Sequence, residues 1–215
     1  MLVKHIMIPV EDLTTVKIND SVKDTLDLIN SKNLLSLPVV EGKKFIGVIS
    51  QKCIFEDYFS SDESKEEFLK RPISEFMRTT QRCVQQHDIV ERPAKILKDE
   101  NTQFIPVVNR KDEFCGIVTH KAIFTTFTNI LGFGHTRLVI TMHEIKGRLA
   151  KLTDIIHKQD GNIISIAEIN VDLMDLREVI LRVDVDDVKK LVKKIEDNGF
   201  KVIRVDTEKD LEKIR

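Results

Sequence analysis

The chain has 215 residues, 41% hydrophobic and 32% charged, with 34 Lys and Arg against 35 Asp and Glu and a net charge of -1. That is enough apolar material for one large core or two small ones, and the balanced charge gives no chain-wide attraction to nucleic acid. No apolar run approaches the roughly 18 residues of a membrane span. The opening MLVKHIMIPVEDL lacks a signal-peptide core, and the three cysteines have no CxxC spacing, which fits a reducing cytoplasm.

In chain order, Thr15–Ile18 reads as an extended piece, and Asp20-Ser21 offers side-chain oxygens to the first amides of a helix. Val22, Leu26 and Ile29 then form one apolar helix face. Leu37–Val40 and Phe45–Ile49 flank a polar turn and read as a hairpin. Ser50 opens the next helix, QKCIFEDYF, and the polar stretch 60–71 reads as a solvated connector or short helix.

The same order then recurs. Pro38 matches Pro106 and Asp20 matches Asp88, both 68 positions apart, while Gly47 matches Gly116 and Ser50 matches Thr119, both 69 apart. Met7 and Met77 open the two units. Cys83-Val84-Gln85 is the second extended piece, and Asp88 with Glu91 has the spacing of a capping box. Pro93 would delete a hydrogen bond inside a helix, so that helix is expected to start late, near Arg92. Phe104–Val108 and Phe114–Val118 form the second hairpin, and Thr119 opens HKAIFTTFTNIL. Each unit is β-α-β-β-α, too small to cover both faces of its sheet alone. Two units packed together would cover them.

After Gly132-Phe133-Gly134 the pattern changes. Leu138–Thr141 reads as a strand and Arg148–Gln159 as a helix stopped by Gly161; Asn162–Val171 and Glu178–Asp184 read as strands. Asp187–Asn198 is a second helix ended by Gly199, and Lys201–Val205 is a last strand. This β-α-β-β-α-β order is ferredoxin-like. The overall fold class is α+β, with both repeats and this unit mixing helix and sheet.

A hydroxyl residue at a strand-to-helix junction faces first-turn amides that favour anions, phosphate included. Ser50 and Thr119 stand there, with Lys52 and Lys121 two residues on as counter-charges and an (L/I)PVV strand beside each for a flat base. Taken alone, each hydroxyl reads first as a plain helix cap.

The repeated order extended–helix–(L/I)PVV–turn–G-h-h-(S/T)–helix resembles the CBS domain, which occurs as a tandem pair (the Bateman module). The resemblance divides the chain into repeat 1 at 1–59, the connector at 60–71 and repeat 2 at 72–134. It implies clefts for adenosine-type ligands: AMP, ADP, ATP, S-adenosylmethionine or cyclic di-AMP. Carried onto this chain, the first cleft draws on Thr15, Val16, Leu37, Pro38, Val39, Ser50, Lys52 and Cys53. The second draws on Cys83, Val84, Ile105, Pro106, Val107, Thr119, His120, Lys121 and Ala122. The family pattern G-h-x-(S/T)-x-x-D ends in a carboxylate for ribose hydroxyls, and here Cys53 and Ala122 replace it. Neither accepts a hydrogen bond as a carboxylate does. A loss of roughly 1.5–3 kcal/mol follows, and a more anionic ligand gains ground.

Glu144-Ile145-Lys146-Gly147-Arg148-Leu149 and Gly161-Asn162-Ile163 resemble the ACT domain over 137–205, leaving a polar tail at 206–215. ACT domains pair with one another and often bind amino acids. The resemblance makes Glu144, Gly147, Asn162 and Ile163 the ligand candidates, although Glu144 and Lys146 replace the usual Asp and Pro. The combination looks like the bacterial acetoin-utilisation regulator group.

The six histidines form no HxH or HExxH pattern, and no phosphate-binding glycine motif occurs. The expectation is a cytoplasmic, non-enzymatic homodimer that senses an adenine nucleotide and acts on a protein target, with no catalytic cofactor, metal, nucleic acid or membrane. The alternatives are an amino-acid sensor working through the ACT domain and a ligand-free assembly module.

Overall fold

The computed structural model describes residues 1–143, 145–170, 176–207 and 210. Two compact units, Met1–Phe124 and Thr125–Arg215, divide the chain.

In the first unit the elements are β1 (Ile8–Pro9), β2 (Val16–Lys17), α1 (Val22–Ser31), β3 (Ser36–Glu41), β4 (Lys44–Ser50), α2 (Gln51–Phe59) and α3 (Lys65–Phe68). These are followed by β5 (Val84–Gln85), α4 (Glu91–Asp99), β6 (Phe104–Val108), β7 (Phe114–Thr119) and the start of α5 (His120–Ile130). The strands form a three-stranded sheet, β2-β3-β4, and a four-stranded sheet, β1-β7-β6-β5. Pro38 lies one residue short of the β2 pairing, which involves only Val39 and Val40 of β3. It therefore escapes the usual exclusion of proline from inner strands. Both hairpins carry the same irregularity, between Val39 and Val40 and between Val107 and Val108.

The lead-in segment of each repeat crosses to the other. Strand β1 pairs antiparallel with β7, joining Ile8 to Ile117, and Val3 N–H donates to the Asp88 carbonyl at 2.9 Å. Reciprocally, Arg78 bridges Val48, and Ile73 N–H donates to the Asp20 carbonyl at 2.9 Å. Two glycines permit the crossing. A Cβ on Gly116 would stand 2.1 Å from the Ile8 carbonyl oxygen, and one on Gly47 would stand 2.5 Å from that of Arg78.

Burial follows the crossing. Val3 packs with Val84, Val90 and Ile105, while Phe68, Ile73 and Phe76 pack with Val22, Ile29 and Leu37. The stretch expected to be a solvated connector or short helix does hold a short helix, but its last residue, Phe68, is core rather than solvated.

Helix starts differ in detail from expectation. Ser21 caps α1, accepting from Asp24 N–H at 3.0 Å. Asp20 and Asp88 instead accept from Lys17 and Gln85 N–H, each at 2.8 Å, so both close the turn before the helix. The Asp88–Glu91 capping box does not form, and Val90 precedes α4 without a side-chain cap. Pro93 is the third residue of α4, where an N–H has no partner within the helix.

The second unit holds β8 (Thr136–His143), α6 (Arg148–Lys158), β9 (Asn162–Asn170), β10 (Leu176–Asp184), α7 (Val188–Asp197) and β11 (Lys201–Asp206). Its antiparallel sheet has the order β11-β8-β10-β9. The helices supply Leu152, Ile156, Leu191 and Ile195 to a core with Leu138, Ile140, Val179 and Leu181. Helix α7 ends on Gly199 at φ +80. Helix α6 ends on Asp160 at φ +58, with Gly161 N–H returning to the Ile156 carbonyl at 3.1 Å. Asp160, not Gly161, is therefore the left-handed terminator, in a Schellman closure.

Asp206 is 8% exposed, yet it accepts from Arg204 at 2.6 Å and Arg137 at 2.9 Å. Burial pushes its carboxyl up, but the two arginines outweigh burial and hold it below the usual carboxylate range. A depressed folded value stabilises the fold above the unfolded value of about 3.9, and that stability is lost as pH falls through the folded value. Asp206→Asn is expected to cost about 2 kcal/mol at pH 7 and to flatten the acid limb below about pH 4. Urea titrations from pH 2 to 7, followed by circular dichroism, check both.

Candidate functional site

Ser50 ends β4 and caps α2. Its Oγ accepts from Cys53 N–H at 3.1 Å and donates to Cys53 Sγ at 3.1 Å. A thiol sulfur is a weak acceptor, so an anion arriving at the helix start can take over the hydroxyl proton at little cost. Thr119 caps α5 in the same manner, accepting from Ala122 N–H at 3.2 Å.

A cleft opens beside Ser50, with Ser36, Val48, Lys52 and Cys53 on the side of repeat 1. Arg78, Gln81 and Asn101–Gln103 of the second half of the unit form its other wall. Gln81 ties that wall together, its Nε2 donating to Thr102 Oγ1 at 2.6 Å and to the Phe104 carbonyl at 3.1 Å. Two cations stand at the mouth, and both lean on Glu56: Lys52 at 3.5 Å and Arg78 at 3.8 Å. Exposed pairs of this kind contribute about 0–1 kcal/mol, so a phosphate can draw either cation away. The cleft encloses about 110 Å³, below the roughly 300–1,000 Å³ of sites that engulf a small molecule. It suits a group the size of a phosphate, with the remainder of the ligand on the rim.

Many of the apolar residues expected to line the clefts lie elsewhere. Val16, Leu37 and Val39 belong to one core cluster, and Val84, Ile105 and Val107 to another. Pro38 and Pro106 are buried as well. Strands covered on both faces turn these side chains inward, leaving mainly backbone and strand-end residues to a ligand. Thr15 borders a different cavity of about 470 Å³, together with Lys43, Gln86, Glu113 and Cys115. Lys43 precedes β4 and Ser50 ends it, so this cavity sits at the opposite end of the strand. There Asn109 and then Lys43 hold the Glu113 carboxyl below its ordinary range, and burial pushes the Cys115 thiol up. Cys83 is exposed and lies in a surface groove with Arg82, His87 and Arg92. His120 and Lys121 are exposed, and Ala122 is half-buried.

Sequence reading passed over Arg78, Gln81, Asn101, Thr102 and Gln103. The available signal was Met77 matching Met7, which places Arg78 beside Ile8 in the alignment.

In the second unit Glu144 lies outside the described residues. Gly147 caps α6 at φ +85, and a depression of about 530 Å³ beside it includes His143, Lys146, Glu168 and Arg177. Arg177 donates to Glu168 at 2.7 Å. Asn162 and Ile163 do not join this group. Strand β10 pairs Leu176 with His143 at one end and Asp184 with Asn162 at the other. The strand is nine residues long, which puts its two ends about 25 Å or more apart. One chain therefore does not assemble Gly147 and Asn162 into a single site.

Among the described residues, no group of His, Cys, Asp and Glu could hold a metal ion, and no helix is long and apolar enough to cross a membrane.

Comparison with known proteins identifies the domains. The CBS domain matches residues 3–59 and again 73–128. The chain belongs to the CBS-domain family. A TTHA0829-like ACT domain follows at residues 134–206, so this is a tandem CBS pair with an ACT domain after it. Inosine-5'-monophosphate dehydrogenase of Korarchaeum cryptofilum (strain OPF8) is 27% identical over 118 residues, 54% of this chain and 22% of its own length. The CBS–ACT chain thus spans about a fifth of that relative.

Among solved structures, CBSX2 in complex with AMP is 24% identical with a TM-score of 0.53, covering 60% of this chain and 97% of its own. CBSX2 from Arabidopsis thaliana matches at 23% identity, a TM-score of 0.53 and the same 60%, over 95% of its own chain. CbpB in complex with c-di-AMP is 22% identical with a TM-score of 0.54, covering 60% of this chain and 85% of its own. At such identities these likenesses establish the fold of the CBS pair.

Proposed function

We propose that this CBS–ACT protein is a non-enzymatic, cytoplasmic regulator that binds an adenine nucleotide or related adenosyl ligand in its CBS pair and signals as a homodimer to a protein target. Its working domains are the CBS repeats at 1–59 and 72–134 and the ACT domain at 137–205. The observation that carries the reading is the Ser50 cleft, where a capped helix start, Lys52 and Arg78 converge on a space of phosphate size. AMP in CBSX2 and c-di-AMP in CbpB support the ligand class.

Cys53 stands where a ribose-binding carboxylate is expected, so the sugar contributes less and the phosphates more. ATP and ADP should therefore bind more tightly than AMP or S-adenosylmethionine. Ligand at the cleft would shift the ACT pair only through unequal affinity for two conformations.

Isothermal titration of the full chain with AMP, ADP, ATP, S-adenosylmethionine and cyclic di-AMP tests the reading. Saturable binding that weakens with salt is the expected result. The absence of binding by all five would end it. Light scattering before and after ligand checks the homodimer, whose mass is twice 24.8 kDa.

A further inference from the structure

The repeat offers two equivalent positions, yet the side chains around them differ in kind. In the β3–β4 ladder Ser36 stands opposite Ser50, and in the β6–β7 ladder Phe104 stands opposite Thr119. Ser36 borders the first cleft. Phe104 is 4% exposed and packs with Phe114, Ile117, Ile8, Val10 and Leu13. The crossed lead-ins differ in the same direction. The residue that bridges Val48 is Arg78, an exposed cation, whereas the residue that pairs with Ile117 is Ile8, held in that apolar cluster.

The third wall repeats the contrast. Asn101-Thr102-Gln103 precede β6 and border the Ser50 cleft. The matching residues before β3 are Asn33-Leu34-Leu35, with Leu34 38% and Leu35 62% exposed. Hydroxyl and amide groups on one side are thus leucines on the other. For Lys121, the counterpart of Lys52 at the offset of 69, the position equivalent to Arg78 is Ile8.

We infer that each chain takes a single phosphate-bearing ligand, at the Ser50 cleft, with Arg78 as its main phosphate contact, and that the Thr119 position has become packing. The inference rests on the nucleotide reading above. An anion at Ser50 gains two cations, a polar rim and a helix start. At Thr119 it would have to displace Phe104 and Ile8 from an apolar cluster and leave them exposed.

The test is equilibrium dialysis of the full chain with radiolabelled ATP, supported by photolabelling with 8-azido-ATP and peptide mapping. One ATP per chain is expected, with label on peptides within 36–53 and 78–103. Arg78→Ala should weaken ATP at least tenfold and Lys52→Ala should weaken it less, while Thr119→Val and Lys121→Ala stay within twofold. Melting temperatures of all four variants confirm that each is folded. Two ATP per chain, or loss of binding in Lys121→Ala with Arg78→Ala unaffected, would overturn the single-site inference and leave the nucleotide reading standing. No ATP binding by the unaltered chain would remove the inference, and with silence from the other four ligands the nucleotide reading as well.

Discussion

Gly116→Ala is expected to destabilise the CBS pair by about 3 kcal/mol or more, the upper range of overpacking combined with broken backbone pairing. The methyl group would meet the Ile8 carbonyl oxygen at 2.1 Å, and a backbone atom within a strand pair cannot turn aside as a flexible side chain can. Relief requires strand β1 to leave β7, which removes the Ile8 and Pro9 pairing and uncovers Ile117. Gly47→Ala should act in the same direction with a smaller effect, since its contact with Arg78 is 2.5 Å. Gly42→Ala is the control. Its φ is +59 with nothing within 4 Å, so only the left-handed strain of roughly 1–2 kcal/mol applies. Tyr58 is the sole tyrosine in a chain without tryptophan, and it lies in the CBS pair. Its fluorescence during urea unfolding therefore reports this unit directly. Equal midpoints for Gly116→Ala and Gly42→Ala would contradict the prediction.

Phe68→Ala is expected to cost about 3–5 kcal/mol, the range for truncating a buried aromatic residue. The ring is 2% exposed and touches Tyr58 and Phe76, each at a centroid distance of 5.0 Å. Arg71 lies over both Phe68 and Phe76 and is paired with Glu63 and Glu75, so the cavity would undermine this network too. Phe59→Ala, only nine residues earlier but 83% exposed, should change stability by no more than about 0.5 kcal/mol. Circular dichroism in urea suits this pair, because Tyr58 touches both rings. If both variants unfolded at the same midpoint, the connector would not be part of the core.

Local signals carried most of the fold. The hydroxyls Ser50 and Thr119 cap helices as their place before apolar helical runs suggests. The two hairpins and the ferredoxin-like order also lie where alternation and turn residues put them. Asp88 misled because a carboxylate before a helix can bond backwards as well as forwards, and here it accepts from Gln85. Asp160 was hidden behind Gly161, since sequence favours glycine as a terminator although aspartate also tolerates the left-handed conformation.

The site was less legible than the fold, for one reason. Its second wall comes from Arg78 and Gln81, in the lead-in that crosses to repeat 1, and from Asn101–Gln103, in the loop before β6. Periodicity reports neighbours along the chain and has no access to such an exchange. Likewise (L/I)PVV reads as a surface for a base until both sheet faces are seen to be covered.

The exchange also orders events during synthesis. Val3 and Ile8 emerge from the ribosome more than a hundred residues before Ile117 and Val118, their eventual surroundings. Repeat 1 can begin to collapse without them but cannot be finished by its own residues. The opening segment must stay unclaimed until repeat 2 has been made, so the two repeats should gain protease resistance together rather than in turn.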